Sequence, residues 1–117
     1  MWLFSWLRAL WRSVARAFAP PRRIEALGTV MCAKPPSMEE TKTGLIYVVH
    51  ANGKDRWAVF RCPCGCDDLV TLSLQDVHNP HWRLSGQAST PSLYPSVWRT
   101  EGCRSHFWVK GGRVQWV

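Results

Sequence analysis

The stretch that most constrains this chain is "FRCPCGCDD", residues 60–68, which sets Cys62, Cys64 and Cys66 at alternate positions. Thiols this close rarely reach the geometry of a disulfide. Three of them cannot by themselves complete the four-ligand tetrahedron that zinc prefers. A second cluster stands downstream in "GCRSHF", where two residues separate Cys103 from His106. Together the clusters form a C-x-C-x-C … C-x-x-H set of soft and borderline ligands, a pattern that predicts bound Zn2+. Cys103 and His106 are then expected to bind with two of the three CPCGC thiols. The third is left beside the metal or becomes a reactive thiolate in its field. Pro63 and Gly65 favour a tight loop between the thiols. Such a site stabilises a fold by about 10 kcal/mol, which matters for a β body of about 75 residues whose core is marginal without a staple.

The fifth cysteine, Cys32, stands apart, and an odd count cannot be fully paired. Clustered cysteines of this kind point to metal binding in a reducing cytoplasm rather than to a disulfide framework. The chain of 117 residues fits one domain, and its net charge of +7 is unevenly placed. Residues 1–34 carry six basic side chains against Glu25, or +5, which leaves +2 for residues 35–117. The body therefore lacks a strong electrostatic footprint for nucleic acid, although "RWAVFR" interleaves arginine with aromatics and keeps a nucleic-acid-binding zinc protein as a third reading.

Residues 1–19, "MWLFSWLRALWRSVARAFA", place Arg8, Arg12 and Arg16 on one helical face and Trp2, Leu3, Trp6, Leu7, Leu10, Trp11, Val14 and Phe18 around the other. The arginines interrupt the apolar run, so neither a signal peptide nor a bilayer span is expected. An amphipathic helix of this type suits an anionic membrane surface, which would make the protein peripheral at the inner membrane. The same face could equally dock on its own domain or on a protein partner. Pro20 and Pro21 end the helix. Residues 20–43, with Pro35 and Pro36, read as a linker without a sustained period.

From residue 44 to 117 short β-like runs alternate with turns. Residues 45–49 and 57–62 read as a hairpin across Asn52–Gly53, with a third strand at 69–74. Residues 81–85 and 92–98 are weaker, and Pro95 pushes the latter to an edge. Residues 106–110 and 113–117 flank a Gly111–Gly112 turn. The fold class expected is mainly β: a small, zinc-stapled, zinc-ribbon-like antiparallel domain behind an N-terminal amphipathic α-helix.

Enzymatic motifs are scarce. No His-x-Glu accompanies "PCGC", which argues against a zinc deaminase, and His-Glu-x-x-His is absent. Ser105 adjoins His106, but a histidine bound to zinc cannot act as a general base. His50, His78 and His81 lie in or beside turns. The tryptophans Trp57, Trp82, Trp98, Trp108 and Trp116 read as core and cross-strand partners. No catalytic residue is assigned on these grounds.

Taken together, "FRCPCGC", "HWRLS", "SLYPSVW" and "GCRSHFWVKGGRVQW" resemble a family of small uncharacterised proteins of bacteria and their phages. Its signature is CPCGC, then PS(V/I), C-x-SHF and a terminal G-x-(V/I)-x-W. Asp67 departs from it, since the family usually carries glycine after CPCGC, and aspartate tolerates the left-handed conformation that glycine would supply there. The resemblance implies a zinc-binding β domain. Some members lie near ubiquitin-like conjugation genes, which implies an adaptor or accessory role. The expectation is a cytoplasmic, non-catalytic zinc module that binds a protein partner; the alternative is an enzyme or accessory factor of ubiquitin-like conjugation using an exposed CPCGC thiolate or an open zinc site.

Overall fold

The computed structural model describes residues 23–117. The helix expected over residues 1–19 lies outside them. Eight strands form two four-stranded sheets. In the first, β1 (Gly28–Cys32), β2 (Leu45–Ala51), β3 (Lys54–Arg61) and β4 (Leu69–Ser73) lie in chain order. The second holds β5 (Arg83–Gln87), β6 (Thr90–Trp98), β7 (His106–Lys110) and β8 (Arg113–Trp116), also in chain order. The mainly β expectation holds, but the body is a two-sheet structure larger than a zinc ribbon. No helix among the described residues is long and apolar enough to cross a membrane.

Alternation explains the core. Ile46 and Val48, Ala58 and Phe60, and Val70 and Leu72 turn inward from the first sheet, while Leu93, Val97, Phe107 and Val109 do so from the second. Phe60 and Phe107, both fully buried, meet edge to face with ring centroids 6.4 Å apart. Each such ring contributes about 1.5–3 kcal/mol by leaving water. The expected Asn52–Gly53 and Gly111–Gly112 turns form, with positive φ at all four positions. Gly112 has a second reason to be glycine: a Cβ there would lie 2.9 Å from the Ser89 carbonyl oxygen.

The linker expected over residues 20–43 needs correction. Gly28–Cys32 is a strand, paired in parallel with β2 from Gly28↔Leu45 to Cys32↔Val49. Just before it, Leu27 N–H donates to Gly112 O at 2.8 Å and Val114 N–H to Glu25 O at 2.9 Å. The segment thus passes from the edge of β8 to the edge of β2 and ties the two sheets together. Further on, Arg61 donates to the carbonyls of Met38 at 2.6 Å and Thr41 at 2.7 Å, which pins the crossover before β2. The half-exposed β1 has little apolar alternation, so its pattern carried no strand signal.

Candidate active site and metal centre

Residues 62–68 connect β3 to β4, and residues 99–105 connect β6 to β7. The two loops meet where the sheets adjoin. Gly65 and Asp67, at φ 91° and 66°, turn the first loop back so that Cys62 N–H reaches Asp68 O at 2.8 Å. Asp67 takes the left-handed conformation its side chain tolerates. In consequence the Sγ atoms of Cys62, Cys64, Cys66 and Cys103 all lie within 4.8 Å of one another. Cys62 Sγ is 3.4 Å from Cys64 Sγ and 3.7 Å from Cys103 Sγ. Four thiolates at about 2.3 Å from a tetrahedral zinc would be separated by about 3.8 Å. The four cysteines can therefore hold a metal ion with little rearrangement.

Charge favours the same use. Burial pushes the Cys62 thiol up to about 12 and raises Cys66 as well. Burial also works against the Cys103 thiolate. Hydrogen bonds from the Ser105 hydroxyl and amide, and from Cys62 and Cys64, outweigh it and hold Cys103 at about 6. Arg99 Nη1 lies 3.5 Å from Cys103 Sγ, 3.7 Å from Cys66 Sγ and 3.7 Å from Asp68 Oδ2. The thiolate is thus favoured at Cys103, beside the Arg99 cation, and disfavoured by burial at Cys62 and Cys66. A divalent ion would favour the thiolate forms of Cys62 and Cys66 as well.

His106 is not in the four-thiol group. Its Nε2 lies 2.9 Å from Ser96 Oγ. Pro95 has no N–H to give to a ladder, and the register of β6 against β7 jumps between Leu93↔Val109 and Val97↔Phe107. Val97 and Phe107 remain buried, while Ser96 and His106 share the outer face of the second sheet, both partly exposed. Trp98, directly opposite His106 and 66% exposed, stacks on the imidazole with centroids 5.4 Å apart and planes 18° apart. Trp82 Nε1–H donates to the Ser96 carbonyl at 3.3 Å. Ser96 is thus held from both sides, with its hydroxyl on a histidine nitrogen. Among the described residues no carboxylate pairs with His106, so this is a dyad.

A second serine–histidine pair, Ser73 with His78 at 2.5 Å, is arranged differently. Ser73 is only 6% exposed, and its oxygen also accepts the Gln75 N–H at 3.2 Å. That hydroxyl closes a turn. His50 pairs with Asp55 at 2.8 Å at an exposed hairpin, and His81 Nδ1 meets the His78 carbonyl at 2.9 Å.

Sequence reasoning had considered Ser105 as the partner of His106 and passed over Ser96. Ten residues separate Ser96 from His106, and only the β6–β7 pairing brings them together. The one signal available was the proline at 95, just before Ser96 in a candidate strand.

A family model described as "Bacterial ubiquitination-like system serine protease (BubE)" matches residues 32–117. No curated protein and no solved structure matches the chain. The match overturns the expectation of a non-catalytic binding module, because it describes an enzyme that uses a serine, and it favours the alternative of an enzyme linked to ubiquitin-like conjugation. Matched from β1 to its last residue, the chain belongs to the BubE family of bacterial ubiquitination-like system serine proteases.

Proposed function

We propose that the protein is a serine hydrolase of acyl bonds in polypeptides, with Ser96 as nucleophile and His106 as general base. The observation that carries this is the 2.9 Å contact between Ser96 Oγ and His106 Nε2 on an open sheet face, in a chain whose family is described as a serine protease. In the first half-reaction Oγ bonds to the substrate carbonyl carbon and its proton passes to Nε2. Collapse of the tetrahedral adduct breaks the bond to the leaving nitrogen, which takes that proton from His106. Water then attacks the acyl-serine, His106 accepts a proton from it, and the proton returns to Oγ as the acid is released. Trp98 holds the imidazole plane, and the Trp82 indole fixes the Ser96 backbone. The family description supports a substrate among the proteins of a ubiquitination-like system.

The four cysteines are proposed to hold structural zinc. An all-thiolate set leaves no coordination position for water, so the ion would supply rigidity and no reaction step. Cys103 lies three residues before His106 and Arg99 three after Ser96. Clamping the loop over residues 99–105 to the loop over 62–68 therefore sets how β6 and β7 present the dyad.

The test is covalent labelling with a fluorophosphonate, which needs only an activated serine. Mass mapping should find the adduct on Ser96, and both Ser96→Ala and His106→Ala should remove it. An adduct on Ser73, or none on zinc-loaded protein, defeats the proposal.

A further inference from the structure

On the outer face of the second sheet, β6 has a different neighbour on each side. On the β7 side of Ser96 stand His106 and the exposed Trp98 ring. On the β5 side, where Arg83 pairs with Tyr94 and Leu84 with Leu93, a cleft of about 780 Å³ opens. Val77, Trp82, Arg83 and Leu84 line it, and so do Tyr94 and Pro95, the two residues immediately before Ser96. Trp82 joins cleft and nucleophile. Its indole N–H holds the Ser96 carbonyl, while its backbone N–H donates to the Ser73 carbonyl at 2.8 Å.

This arrangement gives the site a direction. The histidine that protonates the leaving group must lie beside it, so the leaving group belongs on the β7 side, against Trp98. The acyl half of the substrate must then leave Ser96 toward β5. We infer that the cleft between the loop over residues 74–77 and strand β5 is the subsite for the acyl-side polypeptide of the substrate, while Trp98 forms the platform for the leaving group. The volume suits a few residues of extended chain. Its walls offer apolar surface at Val77, Trp82 and Leu84, with backbone groups of the edge strand β5 beside them for strand-like pairing. This inference rests on the hydrolase reading, and it adds which half of the substrate is recognised, and where.

Two esters with one leaving group test it: p-nitrophenyl acetate, whose acyl part is too small to fill the cleft, and the p-nitrophenyl ester of acetylated tri-leucine. The quantity read is the ratio of kcat/KM for the peptidyl ester to that for the acetate. Val77→Trp, at a position 82% exposed, narrows the cleft without touching the core, and Asp76→Trp does so from the adjacent position. Each should lower the ratio by about tenfold or more, the scale on which one apolar pocket discriminates substrates. Trp98→Ala and the remote Glu39→Ala should leave the ratio within about twofold. An unchanged ratio in both tryptophan variants overturns the inference, as does a ratio that follows Trp98→Ala instead. Wild-type, zinc-loaded protein that turns over neither ester overturns the hydrolase reading and this one with it. Turnover of both esters with a ratio indifferent to the cleft leaves the hydrolase standing and removes only the subsite.

Discussion

Ser96 stands at an irregularity in β6. The register against β7 shifts by two residues between Leu93↔Val109 and Val97↔Phe107, so that Trp98 rather than Ser96 lies directly opposite His106. Ser96, two residues along the same face, still brings its Oγ to 2.9 Å from His106 Nε2. A positioned general base is worth about 10²–10⁴ in rate. Ser96→Ala should therefore lower p-nitrophenyl acetate turnover by about 10³-fold or more, and His106→Ala by about 10²–10⁴-fold. Ser73→Ala should leave the rate within about threefold while lowering stability by about 1–2 kcal/mol, because it removes a turn-closing hydrogen bond from a buried site. Matched steady-state kinetics and urea melts of the three variants check both statements. A large rate loss confined to Ser73→Ala would move the nucleophile to the other pair. Of this residue-scale arrangement, the sequence carried only the pieces: a proline in a strand, a serine after it, and a histidine beside a different serine.

At the scale of elements, two loops depend on one cluster. The loops over residues 62–68 and 99–105 connect strands of different sheets, and the four cysteines are their common ground. The proposed four-cysteine set and a set that includes His106 make different predictions. His106→Ala should keep one zinc per chain and lose reactivity. Cys62→Ala, Cys64→Ala, Cys66→Ala and Cys103→Ala should each lower zinc content, since no thiol is spare in a four-cysteine site. Zinc analysis of the five variants under reducing conditions decides the matter. If His106→Ala strips the metal and one CPCGC variant keeps it, histidine ligation is correct and the dyad is not. Stripping zinc from the wild type with a chelator should slow fluorophosphonate labelling of Ser96 and lower the melting temperature together, because the loop carrying Cys103 also delivers His106. The cysteine spacing made a possible metal site legible without coordinates. It set Cys103 and His106 together with two of the three CPCGC thiols, because the two are near each other in the chain, whereas the fold turns Cys103 toward the thiols and His106 toward β6.

The whole molecule depends on one apolar core shared by two sheets, with Phe60 and Phe107 at its centre. Phe60→Ala should cost about 3–5 kcal/mol, the range for truncating a buried aromatic ring. Equilibrium urea denaturation of zinc-loaded protein measures it, and a loss under about 1 kcal/mol would mean the sheets do not share that core. The strands β2, β3, β4, β7 and β8 were readable from period-two alternation and from the Asn52–Gly53 and Gly111–Gly112 turns, because those signals are local in the chain. The thiol cluster was readable for a related reason: ligand spacing within a loop is a property of the loop. Apart from the joining of Cys103 to the CPCGC loop, which ligand chemistry demanded, contacts between distant segments were not readable. Nothing near residues 28–32 announces a parallel partner at residues 45–49, since parallel pairing is set by the crossover and the sheet it returns to. The pairing of Ser96 with His106, the cleft on the opposite side of β6 and the distance of His106 from the thiol group all follow from how β5, β6 and β7 lie side by side. Local chemistry is written in neighbouring residues, whereas a site assembled across strands exists only once register and packing have been chosen by the burial of the shared core.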